Sequence, residues 1–293
     1  KSFDLSNYDL IIVSAAGTYT SPNFVRKGKK SLHICYCHTP PRYLYGYPTA
    51  APWKGVWWRR FLLGVGQVPM HFLKMADFNA AQKPDFFIAN SKEVASRIKK
   101  FYRRKAEVIY PPVDIPEEKI IKNKEKSDSY YLAGGRLARP KRVDLAVRAC
   151  SELKVPLKVF GRVFAGYGEE LKEIAGESIE FLGEVSDEQK WQLMAGAKAY
   201  IFPSDLEDFG ITPVEAMAVG TPVIAYSSGG VMESVVEGKT GVFFDKLRVE
   251  EVKEAIERFG KMNLDSSDCI DRAREFSKDR FKDRMKEFVA SKL

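Results

Sequence analysis

Histidine is scarce in this chain, amide side chains are few, and no long apolar run occurs. Three histidines stand among 293 residues, and none pairs with another histidine or a cysteine at metal-ligand spacing, so no metal centre is expected. No D-x-D motif is present to hold a divalent ion against a diphosphate, and no G-x-S-x-G elbow presents a nucleophile. The four cysteines, Cys35, Cys37, Cys150 and Cys269, lack C-x-x-C spacing. They are expected to be reduced, buried thiols of a cytoplasmic protein. No window approaches 18 uninterrupted apolar residues, so the sequence contains no spanning helix, and no basic–apolar–small signal pattern opens it. Tyr8 to Ser14 reads as a buried strand, and no glycine-rich strand-to-helix turn precedes it.

What is present suits a folded two-domain protein. Apolar residues make up 45% and charged residues 29%, an ordinary globular balance at a length that supports two cores. The net charge of +8 is unevenly held. Residues 1–124 carry 21 Lys+Arg against 9 Asp+Glu, a net of +12, and residues 125–293 carry 26 against 30, a net of −4. The first half is therefore expected to face something anionic. No RNP, KH or helix-turn-helix context accompanies the basic residues, so a nucleic-acid partner is not expected. The stretch Arg42 to Pro69 mixes Tyr, Trp and Leu with Arg59 and Arg60 and leads into an apolar helix through Leu73. That pattern fits either an anionic membrane surface, placing the protein peripherally on the inner face, or a core helix with a Tyr-rich loop.

Short apolar runs alternate with helical patterns along the chain, which predicts an α/β fold with parallel sheets. Strands are expected at Leu32–Cys37, Asp85–Ala89 and Ala106–Tyr110, then at Tyr130–Ala133, Leu157–Phe160, Ile179–Leu182, 199–202 and 221–226. The polar segment 113–127 has no apolar period and reads as a linker. It divides a domain at 1–112 from one at 128–277, with a final helix at 278–293 that could cross back to the first domain.

The chemistry concentrates between Phe202 and Phe244. Glu207 and Glu215 form an E-x7-E pair around Phe209-Gly210, where a strand end feeds a helix start near Ile211. Helix N-termini favour phosphate, and a carboxylate accepts hydrogen bonds from a sugar diol. The pair therefore fits a sugar–phosphate–sugar ligand; a helix-stabilising acid beside a surface glutamate would show the same spacing. Gly134-Gly135-Arg136 follows a strand and Lys141 starts the next helix, so two cations could hold a diphosphate. Arg139 and Arg142 could equally be solvated. His38 stands where Pro40-Pro41 ends a strand, while His33 and His71 read as structural.

These pieces, in this order, resemble family 4 glycosyltransferases of the GT-B fold. FPSDLEDFGITPVEAMAVGTPVIA with SSGGVMESVVEGKTG resembles that family's nucleotide-sugar signature, and GGRLARPKRVDLAV its diphosphate-binding turn. CHTPPRY and YPPVD are closest to the WbaZ-like mannosyltransferases of surface-polysaccharide assembly. The resemblance implies two Rossmann-like parallel-sheet domains facing a cleft. It implies retaining transfer of a hexosyl group, mannosyl by the closest match, from GDP-mannose to a glycan or lipid-linked saccharide, without metal or other cofactor. It also implies the residue roles. Glu215 would bind the donor ribose, Glu207 would lie at the donor sugar, and the N–H groups of Phe209, Gly210 and Ile211 would meet sugar and phosphate. Arg136 and Lys141, beside Gly135, would neutralise the leaving diphosphate. Gly161 would let the backbone approach the base, and His38 would approach the donor sugar from the opposing domain. The opening KSFDLSNYDL matches the middle of the family's N-terminal domain, so that domain is expected to be incomplete. Two alternatives follow: a nucleotide-sugar-binding but catalytically impaired fragment or subunit, and a GT-B UDP-N-acetylhexosamine epimerase.

Overall fold

The computed structural model describes residues 3–17, 23–47, 67–116 and 129–293. Two compact units form, the first from Lys1–Tyr110 with Lys282–Leu293, the second from Pro111–Phe281.

The first unit contains β1 (Phe3–Leu5), β2 (Leu10–Ala15), β3 (Val25–Lys27), β4 (Leu32–Cys37), α1 (Gln67–Ala81), β5 (Phe86–Ala89), α2 (Lys92–Tyr102) and β6 (Ala106–Val108). Its main sheet is parallel, in the order β2-β4-β5-β6. Every residue of β4 is buried, which explains why LHICYC shows no alternation: a parallel strand is covered on both faces. α2 begins where Ser91 Oγ accepts the Val94 N–H at 3.0 Å and ends at a left-handed Arg103, a cap at each end. β2 pairs with β4 and with no other described strand, and Ile12 on it is exposed. β1 and β3 make a separate parallel pair that the sequence pattern does not announce, since three-residue strands carry no readable period.

Of the aromatic–basic stretch from Arg42, residues 48–66 lie outside the described residues. Tyr45 stacks on Phe101 with centroids 4.2 Å apart and donates to Asp77 Oδ2 at 2.8 Å. The Arg97 guanidinium lies 4.5 Å over Tyr47. These two tyrosines pack within their own unit. Among the described residues no helix is long and apolar enough to cross a membrane.

The second unit contains β7 (Tyr131–Gly134), α3 (Val143–Leu153), β8 (Leu157–Phe160), α4 (Tyr167–Glu173), β9 (Ile179–Gly183), α5 (Asp187–Gly196), β10 (Tyr200–Phe202), α6 (Ile211–Ala218), β11 (Val223–Tyr226), β12 (Gly241–Phe244), α7 (Val249–Gly260) and α8 (Ser266–Arg274), then enters α9 (Lys278–Ala290). The strand order is β12-β11-β10-β7-β8-β9, all parallel. Strand residues Ala133, Val159, Ile201, Ile224 and Val242 pack with Ala146, Val147, Leu171 and Ala255 from the helices to make its core. The chain winds outward from β7 to β9, then returns to β10 beside β7. The connections therefore diverge above β7 and β10, opening a crevice at their carboxyl ends.

Val113, inside the segment expected as a linker, is buried and donates its N–H to Phe276 O at 2.9 Å. Residues 117–128 lie outside the described residues. From Lys282 onward α9 belongs to the first unit, where Phe288 meets Phe86 edge-on with centroids 6.1 Å apart.

Candidate functional site

β7 ends at Gly134, whose carbonyl accepts the Tyr200 hydroxyl at 2.7 Å, tying β7 to β10 at the switch point. Gly135 follows with φ +99°, and Gly161, at the end of β8, has φ +126°. A Cβ on Gly161 would overlap the Gly135 carbonyl oxygen. Only glycine fits there, and the two strand ends meet backbone to backbone. A Cβ on Gly135 would point toward Thr212 Oγ1 at 3.7 Å, so the start of α6 lies over this turn.

The basic run beyond β7 is sorted by its partners. Arg136 is exposed, its guanidinium 5.8 Å from the Phe164 ring centroid. Arg139 pairs with Glu170 and donates to Ala165 O at 3.1 Å. Arg142, left-handed at φ 48°, forks onto Asp144 with both contacts at 3.1 Å. Asp144 also accepts the Tyr167 hydroxyl at 2.7 Å. Arg139 and Arg142 are thus anchored rather than solvated. They fix a short 3-10 turn over Arg139–Lys141, and the turn aims Lys141 across to the loop after β10. There its ammonium pairs with Glu207 Oε2 and lies 5.4 Å from the Phe202 ring centroid.

Glu207 is held from three directions. Ser204 Oγ donates to the same Oε2 at 2.7 Å. The Gly230 N–H donates to Glu207 O at 2.9 Å, within a bridge between Glu207 and Gly229. Asp205 N–H reaches Pro140 O at 3.1 Å, joining the two site loops. Phe209 is buried and packs on Phe276, centroids 5.4 Å apart. Gly210 caps α6 without a side chain, and Ile211 is exposed. The first N–H groups of a helix have no partner inside it, so this end of α6 offers donors and positive potential to an anion.

Glu215 sits one turn into α6, and its Oε1 accepts from Lys190 Nζ of α5 at 2.9 Å. Lys190 also meets Asp187 at 3.2 Å. Burial disfavours the Lys190 charge, but the hydrogen bond and attraction from Glu215, then those from Asp187, outweigh it and raise its pKa.

Gly135, Arg136, Lys141, Gly161, Glu207, Phe209, Gly210, Ile211 and Glu215 therefore all belong to the second unit, at the strand ends beside the switch point and the first turns of α6. His38 belongs to the first unit. It stands at the carboxyl end of β4, where its Nε2 is 3.0 Å from Ser14 Oγ and its ring meets Tyr36 edge-on at 5.1 Å. Sequence reasoning missed Ser204 and Lys190. Ser204 lies within FPSDLED and was within reach. Nothing in the spacing links Lys190 to Glu215, 25 positions away.

Residues 114–276 match the family model described as glycosyl transferases group 1. The alpha-1,3/1,6-mannosyltransferase ALG2 of Mus musculus is 30% identical over 244 residues, which cover 70% of this chain and 58% of that protein. The lipopolysaccharide core biosynthesis mannosyltransferase LpcC of Rhizobium leguminosarum bv. viciae is 41% identical over 120 residues, covering 36% and 34% respectively. The chain thus spans under three-fifths of the length of these curated relatives. Among solved structures, sucrose-phosphate synthase from Thermosynechococcus elongatus aligns with a TM-score of 0.72 at 18% identity, over 97% of this chain and 74% of that one. HepE of Anabaena, in complex with UDP and glucose, aligns with a TM-score of 0.63 at 18% identity, over 97% and 99%. The fold is that of the GT-B glycosyltransferases. The chain belongs to the glycosyl transferases group 1 family.

Proposed function

We propose that the second unit holds the donor of a retaining hexosyl transfer, and that the donor is a nucleoside diphosphate sugar. The observation that carries this is the convergence of Lys141, Glu207, Gly135 and the uncapped start of α6 at one switch point. In the proposed reaction the bond from the anomeric carbon to the diphosphate oxygen breaks, and the diphosphate leaves with its electron pair. Arg136, Lys141 and the α6 N–H groups meet the charge that develops, which is electrostatic stabilisation and assigns no role to a metal. The acceptor hydroxyl forms the new bond on the face the leaving group occupied, and its proton departs with the diphosphate. Glu207 orients the donor sugar, Glu215 accepts from the ribose hydroxyls, and Gly161 leaves room for the base. His38 is assigned to the donor sugar from the first unit.

The names of the mannosyltransferase relatives support a mannosyl group, GDP-mannose as donor, and a glycan or lipid-linked saccharide as acceptor. Anionic membrane is the proposed surface for the first unit, supported by the exposed Phe72, Leu73 and Met75 on α1. GDP release from GDP-mannose, with and without a dolichyl- or undecaprenyl-linked saccharide, tests the activity, with UDP-glucose in parallel. Acceptor-dependent release is expected, and Glu215→Ala should reduce it about a hundredfold. Unchanged turnover in that variant would remove Glu215 from the donor site. Nucleotide binding without release would favour the non-catalytic alternative.

A further inference from the structure

Glu215 is one of two site carboxylates, and each already has a cationic neighbour. Glu207 pairs with Lys141, which the proposed reaction uses. Lys190, the partner of Glu215, has no assigned task. It projects from α5, whose start is fixed by a capping box between Ser186 and Gln189. The pair is half-enclosed, with the Lys190 and Glu215 side chains 19% and 15% exposed. The contact matters because an unpartnered glutamate side chain samples several rotamers. An ammonium on Oε1 fixes one rotamer and leaves Oε2 to accept from a ligand.

We propose that Lys190 is a positioning residue for the donor site: it holds the Glu215 side chain in one orientation so that the carboxylate can take a vicinal diol of the ligand. This rests on the assignment of Glu215 to the donor ribose. Lys190 itself touches no ligand in this scheme. Its influence should therefore be confined to the hydroxyls Glu215 recognises, with the diphosphate and base unaffected.

The test is binding, by calorimetry, of GDP and of 2′,3′-dideoxy-GDP to the full chain, with UDP and its dideoxy analogue as a second pair. The wild type should prefer the ribose form by about tenfold, the worth of one hydrogen-bonded diol on a charged acceptor. Glu215→Gln should reduce that preference to about twofold or less. Lys190→Met should reduce it to the same extent while leaving the affinity for the dideoxy nucleotide within about threefold. Lys190→Arg should retain the preference, and Glu215→Gln with Lys190→Met together should lose no more than either alone. A merely structural lysine would weaken both nucleotides equally. Such parallel loss, or an intact preference in Lys190→Met, overturns the proposal while Glu215 keeps its place. An intact preference in Glu215→Gln, or no binding by the wild type, overturns the donor-ribose assignment as well. If Lys190→Met does not fold, Lys190→Gln takes its place: loss of the preference with the dideoxy affinity kept supports the role, and an intact preference or parallel loss overturns it.

Discussion

Replacing Lys141 with methionine separates its structural contribution from its proposed catalytic one. The Lys141 and Glu207 side chains are 23% and 13% exposed, between a solvated pair, worth about 1 kcal/mol or less, and a fully enclosed one, whose breaking costs about 3–5 kcal/mol. Removing the ammonium leaves the Glu207 carboxylate with the Ser204 hydroxyl, so a loss of about 2 kcal/mol is expected. For a unit of this size that corresponds to a melting temperature lower by about 4–8 °C. Lys141→Met with Glu207→Gln removes both charges and should recover most of that loss. Turnover should behave differently. If Lys141 stabilises the leaving diphosphate, its removal costs about 10²–10³ in kcat, and the second substitution restores none of it. Melting curves and GDP release on the wild type, Lys141→Met, Glu207→Gln and the double variant read both quantities. A double variant that regains turnover along with stability, or a single variant within threefold of wild type, would show Lys141 to be only the structural partner of Glu207.

Two other perturbations follow from the geometry. Gly161→Ala places a methyl group where the Gly135 carbonyl oxygen already lies, at a backbone angle that L residues avoid, and should destabilise the second unit by about 3 kcal/mol or more; a urea midpoint equal to wild type would refute the packing of these strand ends. His33 is buried, its Nε2 has no partner among the described residues, and burial, helped by the Lys27 ammonium, lowers its pKa to about 4. Because the unfolded chain takes up that proton first, His33 contributes stability above pH 6.5 that is lost as pH falls toward 4. The loss approaches about 3 kcal/mol, and His33→Phe should flatten that part of the stability profile measured by urea unfolding.

Much of the fold is legible because buried parallel strands announce themselves. LHICYC, LKVF and VIAY are short, apolar and stopped by Pro, Gly or polar residues, and each is a strand. β12 was not read, since GVFF follows a glycine-bounded turn and lies too close to β11 for its own helix-strand rhythm to show. The site divides in the same way. E-x7-E and GGRLARPKR are local signals, so their residues could be named. Their sorting was not local. Four cations follow β7 within eight positions, and only the left-handed Arg142 with its fork on Asp144, and Arg139 on Glu170, leave Lys141 to face Glu207.

The sequence by itself determined the class of fold, most of the strands, the helix start at Ile211 and the kinds of group that could meet a phosphate and a diol. Propensity, periodicity and capping act over a few residues, and those features need nothing more. Only the tertiary structure decided that β10 lies beside β7, that Gly161 presses on Gly135, and that Lys190 reaches Glu215. Those pairings follow from strand order and from helices packing across a shared sheet, where residues distant in the chain become neighbours without any trace in their spacing.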